Sequence, residues 1–216
     1  MEVTDLADQI YVISLPHRHD RRDALEANWK PLGLEWKYVE GVRPLAADIK
    51  WTEMRGLEAY GKPEWLRTDY VIGAVGCKRA GIRALETFLN SEHETALICQ
   101  DDCRWLPTTR QILAPIDGYP DGWDMIYLSA NLRKSSKPHD EHWLRMVAAR
   151  LCTSIIWNRQ SAERAVSILK EADCEWDLAQ ERMMKGLNVF SPHQWTCAQA
   201  KGPSDIVGRS MVQPNT

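Results

Sequence analysis

Asp101 and Asp102 stand side by side, one residue (Gln100) after the apolar run 96–99, Ala-Leu-Ile-Cys. The run reads as a short buried strand, and two like charges at its end lose hydration and raise each other's pKa. Such a pair persists where a cation, usually Mg²⁺ or Mn²⁺, or a set of hydrogen-bond donors neutralises it. A hard divalent ion in that position is commonly shared with the oxygens of a diphosphate, which points to a nucleotide. A solvated turn after a strand is the competing reading of the same doublet. Upstream, the loop 16–23 carries Arg18, Arg21 and Arg22, with Asp20 as a helix cap. Anions collect at helix N-termini and at the carboxyl ends of parallel strands, so these arginines could meet phosphate, or could simply be solvated.

Other chemistry-bearing residues are weaker signals. His193 follows a strand end and is a candidate third metal ligand. Cys99 and Cys103 flank the doublet, but no second cysteine pair lies at ligand spacing, and zinc is not expected. His139 and His142 fall in or beside the polar stretch 131–140 and read as solvent-exposed.

The elements that must position these residues alternate between strand and helix. Residues 9–15 form a β-branched, aromatic strand stopped by Pro16, followed by a helix carrying Leu25 and Trp29, and Leu32 beyond it. A second strand spans 36–40. From 43 to 69, Pro44, Gly56, Gly61 and Pro63 break the pattern, and a long irregular loop is expected. A helix then opens at Gly73 and runs to 89, with Gly76 and Gly81 suggesting close approach to a ligand or a neighbouring element. Beyond the doublet come a short helix at 108–114, a strand at 124–129, two strands at 147–149 and 152–157 in a hairpin or crossing, and a helix from Ser161. A short helix from about 174 to 185, a strand at 187–191 and a Gly-, Pro- and Ser-rich tail close the chain.

With 216 residues and 44% apolar composition, one domain is expected over 1–203, with a tail over 204–216. The net charge of -3 is well mixed and does not favour nucleic acid. The absence of a run of roughly 20 apolar residues argues against a transmembrane segment, and the acidic N-terminus is unlike a secretory signal, so a soluble, cytoplasmic chain is expected. The six scattered cysteines suit reduced, buried thiols, and most of the ten tryptophans suit the core, leaving one or two as sugar-stacking platforms.

Taken in order, these motifs resemble glycosyltransferase family 25, the lipooligosaccharide and collagen galactosyltransferases. Residues 10–15 with Arg18, Arg21 and Arg22 resemble the family's "isoleucine-asparagine-leucine, then arginines" opening. The run 73–77, Gly-Ala-Val-Gly-Cys, resembles its glycine-x-x-glycine-cysteine helix start, and 97–102 resembles its glutamate-aspartate-aspartate metal motif. Ser14 stands in place of asparagine, Gln100 in place of the first glutamate, and Ala80-Gly81 in place of serine-histidine.

The resemblance implies an α/β fold of GT-A type, a nucleotide-binding α/β/α sandwich with a mostly parallel central sheet. It also implies metal-dependent transfer of a hexose, with inversion, from a UDP-sugar to an acceptor hydroxyl. The metal, Mn²⁺ or Mg²⁺, is assigned to Asp102, Asp101 and His193, and nucleotide contacts to Ser14, Leu15, Arg18, Arg21, Gly76, Lys78 and Asp101. An inverting transfer needs a carboxylate base opposite the leaving group, and Asp177, at a helix start after Trp176, is the candidate, with Glu175 as its substitute. The acceptor is a glycan, a protein hydroxyl or a modified nucleobase. The competing readings are a transferase-like module that binds sugar nucleotides without turnover, and a metal-dependent phosphohydrolase.

Overall fold

A computed structural model of the chain describes residues 1–60, 64–202 and 205–206. The chain starts with β1 (Gln9–Ser14), α1 (His19–Trp29) and β2 (Lys37–Glu40). A short helix α2 (Trp51–Met54) and the long α3 (Glu64–Leu89) lead to β3 (Thr95–Gln100) and β4 (Cys103–Trp105). Then come α4 (Thr109–Leu113), β5 (Met125–Tyr127), β6 (Asn131–Leu132), β7 (Lys137–Pro138), β8 (Trp143–Arg145), β9 (Ala149–Arg150) and β10 (Ser154–Asn158). The last elements are α5 (Arg159–Glu171), α6 (Trp176–Met183), β11 (Val189–Pro192) and β12 (Cys197–Gln199).

Eight strands form one sheet in the order β2-β1-β3-β10-β5-β11-β8-β7. Strands β2, β1, β3, β5, β11 and β7 point one way, and only β10 and β8 run against them, so the mostly parallel sheet expected from the sequence holds. Side-chain alternation gives that sheet two apolar faces. Tyr11, Ile13, Ile98 and Trp157 pack on one side with Ala84, Leu85 and Phe88 of α3 and with Ala162, Leu169, Trp176 and Met183 of α5 and α6. Ile10, Val12, Leu97 and Ile156 face the other way, against Leu25 and Trp29 of α1 and Leu113 of α4. Helices therefore cover both faces, the three-layer α/β/α arrangement that a parallel sheet requires.

Several boundaries differ from expectation for identifiable reasons. The stretch 43–69 is not wholly irregular: 3-10 turns at Ala46–Asp48 and Arg55–Tyr60 bracket α2, and α3 begins at Glu64, nine residues before Gly73. Tyr70, Val71, Ala74 and Val75 keep a helical apolar stripe through that region, packed with Leu57 and Ile49, and this outweighs the glycines. Residues 61–63 of the stretch lie outside the described residues. The two strands near 147–157 do not pair with each other: β9 pairs with β6, and β10 lies between β3 and β5. Asn131–Leu132 and Lys137–Pro138 are short strands within the polar stretch expected as loop. All six cysteines are free thiols, five of them buried. No helix among the described residues is long and apolar enough to cross a membrane.

Candidate active site

The carboxyl ends of β1 and β3 lie side by side, because the two strands are parallel neighbours with Ile13 opposite Gln100. The Asp101 amide donates to Ile13 O at 3.0 Å, and the Gly41 amide donates to Ser14 O at 2.8 Å. The chain leaving three adjacent strands is thus gathered into the floor of one cleft, the place where open α/β sheets bind ligands. Leu15, Val42, Cys77, Gln100, Asp101 and Asp102 line it.

The acidic doublet is not a solvated turn: Asp101 is 5% exposed and Asp102 8%. Arg21 Nη1 donates to Asp101 Oδ1 at 2.9 Å and lies 3.5 Å from Asp102 Oδ2. Gln199 Nε2, carried in by the β4–β12 pairing, donates to Asp102 Oδ2 at 3.0 Å. Arg104 Nη1 steadies the backbone from behind, donating to the carbonyls of Asp101 at 2.9 Å and Cys103 at 2.8 Å. Asp102 Oδ1 is buried with no hydrogen-bond partner. Burial pushes the Asp102 carboxyl above the usual carboxylate range, against the pull of Arg21. With Arg21 as far as 3.5 Å and one oxygen unanswered, desolvation is the stronger effect. Two carboxylates, one with an orphaned oxygen, in residues that line the cleft fit a hard divalent cation that completes its shell from ligand and water. Among the described residues, no group of three or more His, Cys, Asp and Glu side chains is arranged to hold a metal.

The other sequence-assigned residues divide. Arg21 lines the cleft, and Arg18 is tied to its edge through an ion pair with Asp205, a residue of the lining; Asp20, foremost, and Asp205 hold the Arg18 guanidinium firmly charged. Leu15 and Gly76 line the cleft. Gly76 has no room for a side chain, since a Cβ there would lie 2.2 Å from Val42 O. Ser14 is 1% exposed, and its hydroxyl accepts from Arg22 Nε at 2.9 Å, so it fixes the loop from behind instead of meeting a ligand. Lys78 corrects the phosphate assignment: buried on the far side of α3, its ammonium donates to the carbonyls of Glu53 at 3.2 Å and Ala172 at 2.5 Å. His193 also lies apart from the doublet, at the end of β11, with its ring Nε2 2.9 Å from Asp140 O. Two strands, β10 and β5, separate β11 from β3 in space, which the position after a strand end could not reveal.

The first turn of α6 packs on the face of the sheet covered by α3 and α5. Asp177 Oδ1 accepts the Cys152 amide at 3.1 Å. That amide follows Leu151, the one non-glycine residue with positive φ among the described residues, at 87°. Cys77 couples electrostatically to both Asp177 and Asp102, and burial, then those carboxylates, push its thiol up to about 12, so it stays neutral between them. Glu175 Oε1 lies 3.4 Å from the Tyr70 hydroxyl, and its Oε2 is buried without a partner. The ring of Trp176 fills the notch left by Gly81, where a Cβ would sit 2.6–2.8 Å from the ring carbons. This contact accounts for a glycine where the family carries histidine. Sequence reasoning missed Arg43, Asp205 and Ile206, which line the cleft, and the boundary drawn at 203 separates the last two from the site they belong to. The remainder of the expected tail, 207–216, lies outside the described residues.

No protein-family model matches the chain. Among curated proteins, it is 28% identical over 141 residues to a glycosyltransferase 25 family member of Aedes aegypti, covering 62% of this chain and 23% of the relative. It is 25% identical over 138 residues to procollagen galactosyltransferase 2 of Mus musculus, covering 61% and 22%. The resemblance to glycosyltransferase family 25 read from the motifs is thus borne out, and the chain spans about a quarter of the length of the relatives it matches. Among solved structures, it is similar to a Drosophila β-1,4-galactosyltransferase 7 mutant in complex with manganese, UDP-Gal and xylobiose, with TM-score 0.43, 9% identity and coverage of 88% of this chain and 69% of that one. It is also similar to a glycosyltransferase involved in glycosylation of the major capsid of PBCV-1, with TM-score 0.37, 16% identity and coverage of 76% and 66%.

Proposed function

We propose that this chain is a GT-A-type glycosyltransferase domain that binds a UDP-hexose in the cleft and transfers the hexose, with inversion, to an acceptor hydroxyl. The observation that carries the reading is the buried, unpartnered Oδ1 of Asp102, set beside Asp101 and under Arg21 at the carboxyl end of β3. An oxygen so placed costs folding energy with no hydrogen bond in return.

In this reading Asp101 and Asp102 would hold Mn²⁺ or Mg²⁺, which when bound offsets charge on the departing diphosphate. Arg18 and Arg21 hold the phosphate oxygens by charge-assisted bonds and keep them stationary as charge develops. Leu15 and Val42 offer the nucleoside an apolar wall. Asp177, its orientation fixed by the Cys152 amide, accepts the proton of the acceptor hydroxyl as that oxygen bonds to the anomeric carbon and the diphosphate leaves from the opposite face. Glu175 is the alternative base on the same helix turn. The acceptor is a glycan, a protein hydroxyl or a modified nucleobase.

One observation favours a second reading, a binding module without turnover. Gln199 and Arg21 already answer Asp102 Oδ2, and Gln100 stands where the family has a carboxylate. Incubating the protein with UDP-hexoses and candidate acceptors, with and without Mn²⁺, separates the possibilities. Free UDP with a glycosylated acceptor supports transfer, UDP-sugar binding without UDP release supports the module, and phosphate release from generic esters supports a phosphohydrolase. Asp102→Ala is expected to lower transfer by roughly a hundredfold or more, the scale of one lost electrostatic contact to a leaving group, and full activity in that variant would remove the metal assignment.

A further inference from the structure

Besides the doublet, and Asp20 on Arg18 at 2.8 Å, a further carboxylate faces the arginines of the cleft. Asp205 forms ion pairs with Arg18 Nη1 and, at 3.3 Å, with Arg21 Nη2. Its backbone carbonyl accepts from Arg43 Nη1 at 2.9 Å. Guanidinium groups from the loop before α1, from α1 and from the stretch after β2 thus converge on one residue near the end of the chain. The next residue, Ile206, rests against Gly73 of α3, where a Cβ would lie 2.6 Å from the Ile206 Cα, so the helix leaves a notch for this segment. The three carboxylates on Arg21 differ in exposure: the Asp101 and Asp102 side chains are 7% and 11% exposed, that of Asp205 29%. Asp205 is therefore the partner that can leave.

We propose that Asp205 is an internal ligand of the cleft: its carboxylate and carbonyl occupy a three-arginine anion site, Arg18, Arg21 and Arg43, and a diphosphate enters by exchanging with it. The identity of that diphosphate as part of a nucleotide rests on the reading given under Proposed function. The exchange is favoured by charge. A carboxylate brings one negative charge and two acceptor oxygens, whereas a diphosphate brings at least two charges and more acceptors in the geometry that guanidinium forks match. Asp205, once released, regains its hydration. Until then it keeps the arginines gathered, and it lowers the apparent affinity for the diphosphate in proportion to the time the site is taken. A ligand with a single carboxylate or monophosphate exchanges less well than a diphosphate.

Calorimetric titration of the intact chain and of Asp205→Asn with UDP, and separately with inorganic pyrophosphate, tests the exchange. The Asn side chain keeps the shape and removes the charge. The variant is expected to bind both probes about 5- to 10-fold more tightly, with a gap that narrows at high salt because exposed ion pairs are screened. Equal affinity in the two proteins, or weaker binding by the variant, overturns the internal-ligand role and leaves the nucleotide reading intact. Pyrophosphate bound more tightly by the variant while UDP binds neither protein supports the exchange and overturns the nucleotide reading. Failure of both probes to bind either protein overturns both.

Discussion

A buried carboxylate with one unanswered oxygen destabilises a fold, and Asp102 is such a group. Because burial raises its pKa in the folded chain above the ordinary value of about 3.9, the folded state holds its proton more tightly than the unfolded state. The resulting penalty is absent below the unfolded pKa and develops as pH rises through the folded one. Asp102→Asn is therefore expected to raise Tm at pH 7 by about 2–4 °C, the equivalent of roughly 1 kcal/mol in a chain of this size. The gain should fade as pH drops toward 4. A thermal melt series from pH 4 to 8 checks it, and a variant less stable than wild type at pH 7 would show that the Arg21 pairing outweighs desolvation. At this scale much was legible. Two adjacent acids after an apolar run announced the doublet, and the arginines after the first strand announced its partners. Lys78 was misread because its type suggests phosphate, while its side of α3, set by helical phase, buries it against two carbonyls.

Among the elements, α3 decides the shape of the cleft through what it lacks. Gly76 lets the helix touch the backbone of Val42, and Gly81 lets it receive the Trp176 ring. Alanine is the better helix former by about 1 kcal/mol at either site, yet Gly76→Ala meets a rigid carbonyl at 2.2 Å and is expected to lower stability by about 1–3 kcal/mol, the usual cost of overpacking. Gly81→Ala meets three carbons of the buried Trp176 ring at 2.6–2.8 Å, so a loss of similar size is expected, with an added effect on turnover if the displaced Trp176 disturbs Asp177 and Glu175 beside it. Urea unfolding of both variants, with kcat for the second, would expose an error: a stabilised Gly76→Ala would mean the wall yields. The glycines were visible in the sequence as a cost without a reason. Helix packing supplies the reason, and no spacing rule could name Val42 or Trp176 as the neighbours. The same limit applies to β4 and β12, three residues each, too short to stand out by alternation yet needed to bring Gln199 onto Asp102.

For the molecule as a whole, the alternation of strand and helix pointed to an α/β nucleotide site, and the α/β sandwich itself was what the family resemblance implied. What it could not give was the insertion of β10 between β3 and β5, or the return of the chain end to the cleft, since both depend on contacts between residues far apart in sequence. The cysteines are a global probe of the packing. Five are buried and Cys77 is held neutral beside two carboxylates, so native protein at pH 8 should react with fewer than one equivalent of a thiol reagent and all six should react in guanidinium. Rapid labelling of two or more thiols in native protein would contradict the buried core.

Leu151 holds a backbone angle of 87° that side-chain-bearing residues avoid. Of the order of 1 kcal/mol or more is stored in that one torsion, and the amide beyond it is the one that grips Asp177. Such a residue behaves like a cocked spring beneath the carboxylate. If Asp177 is the base proposed for it, a homologue with glycine there would relax the loop, gain thermal endurance and aim that carboxylate less sharply, so natural variation at this position should trade durability against turnover.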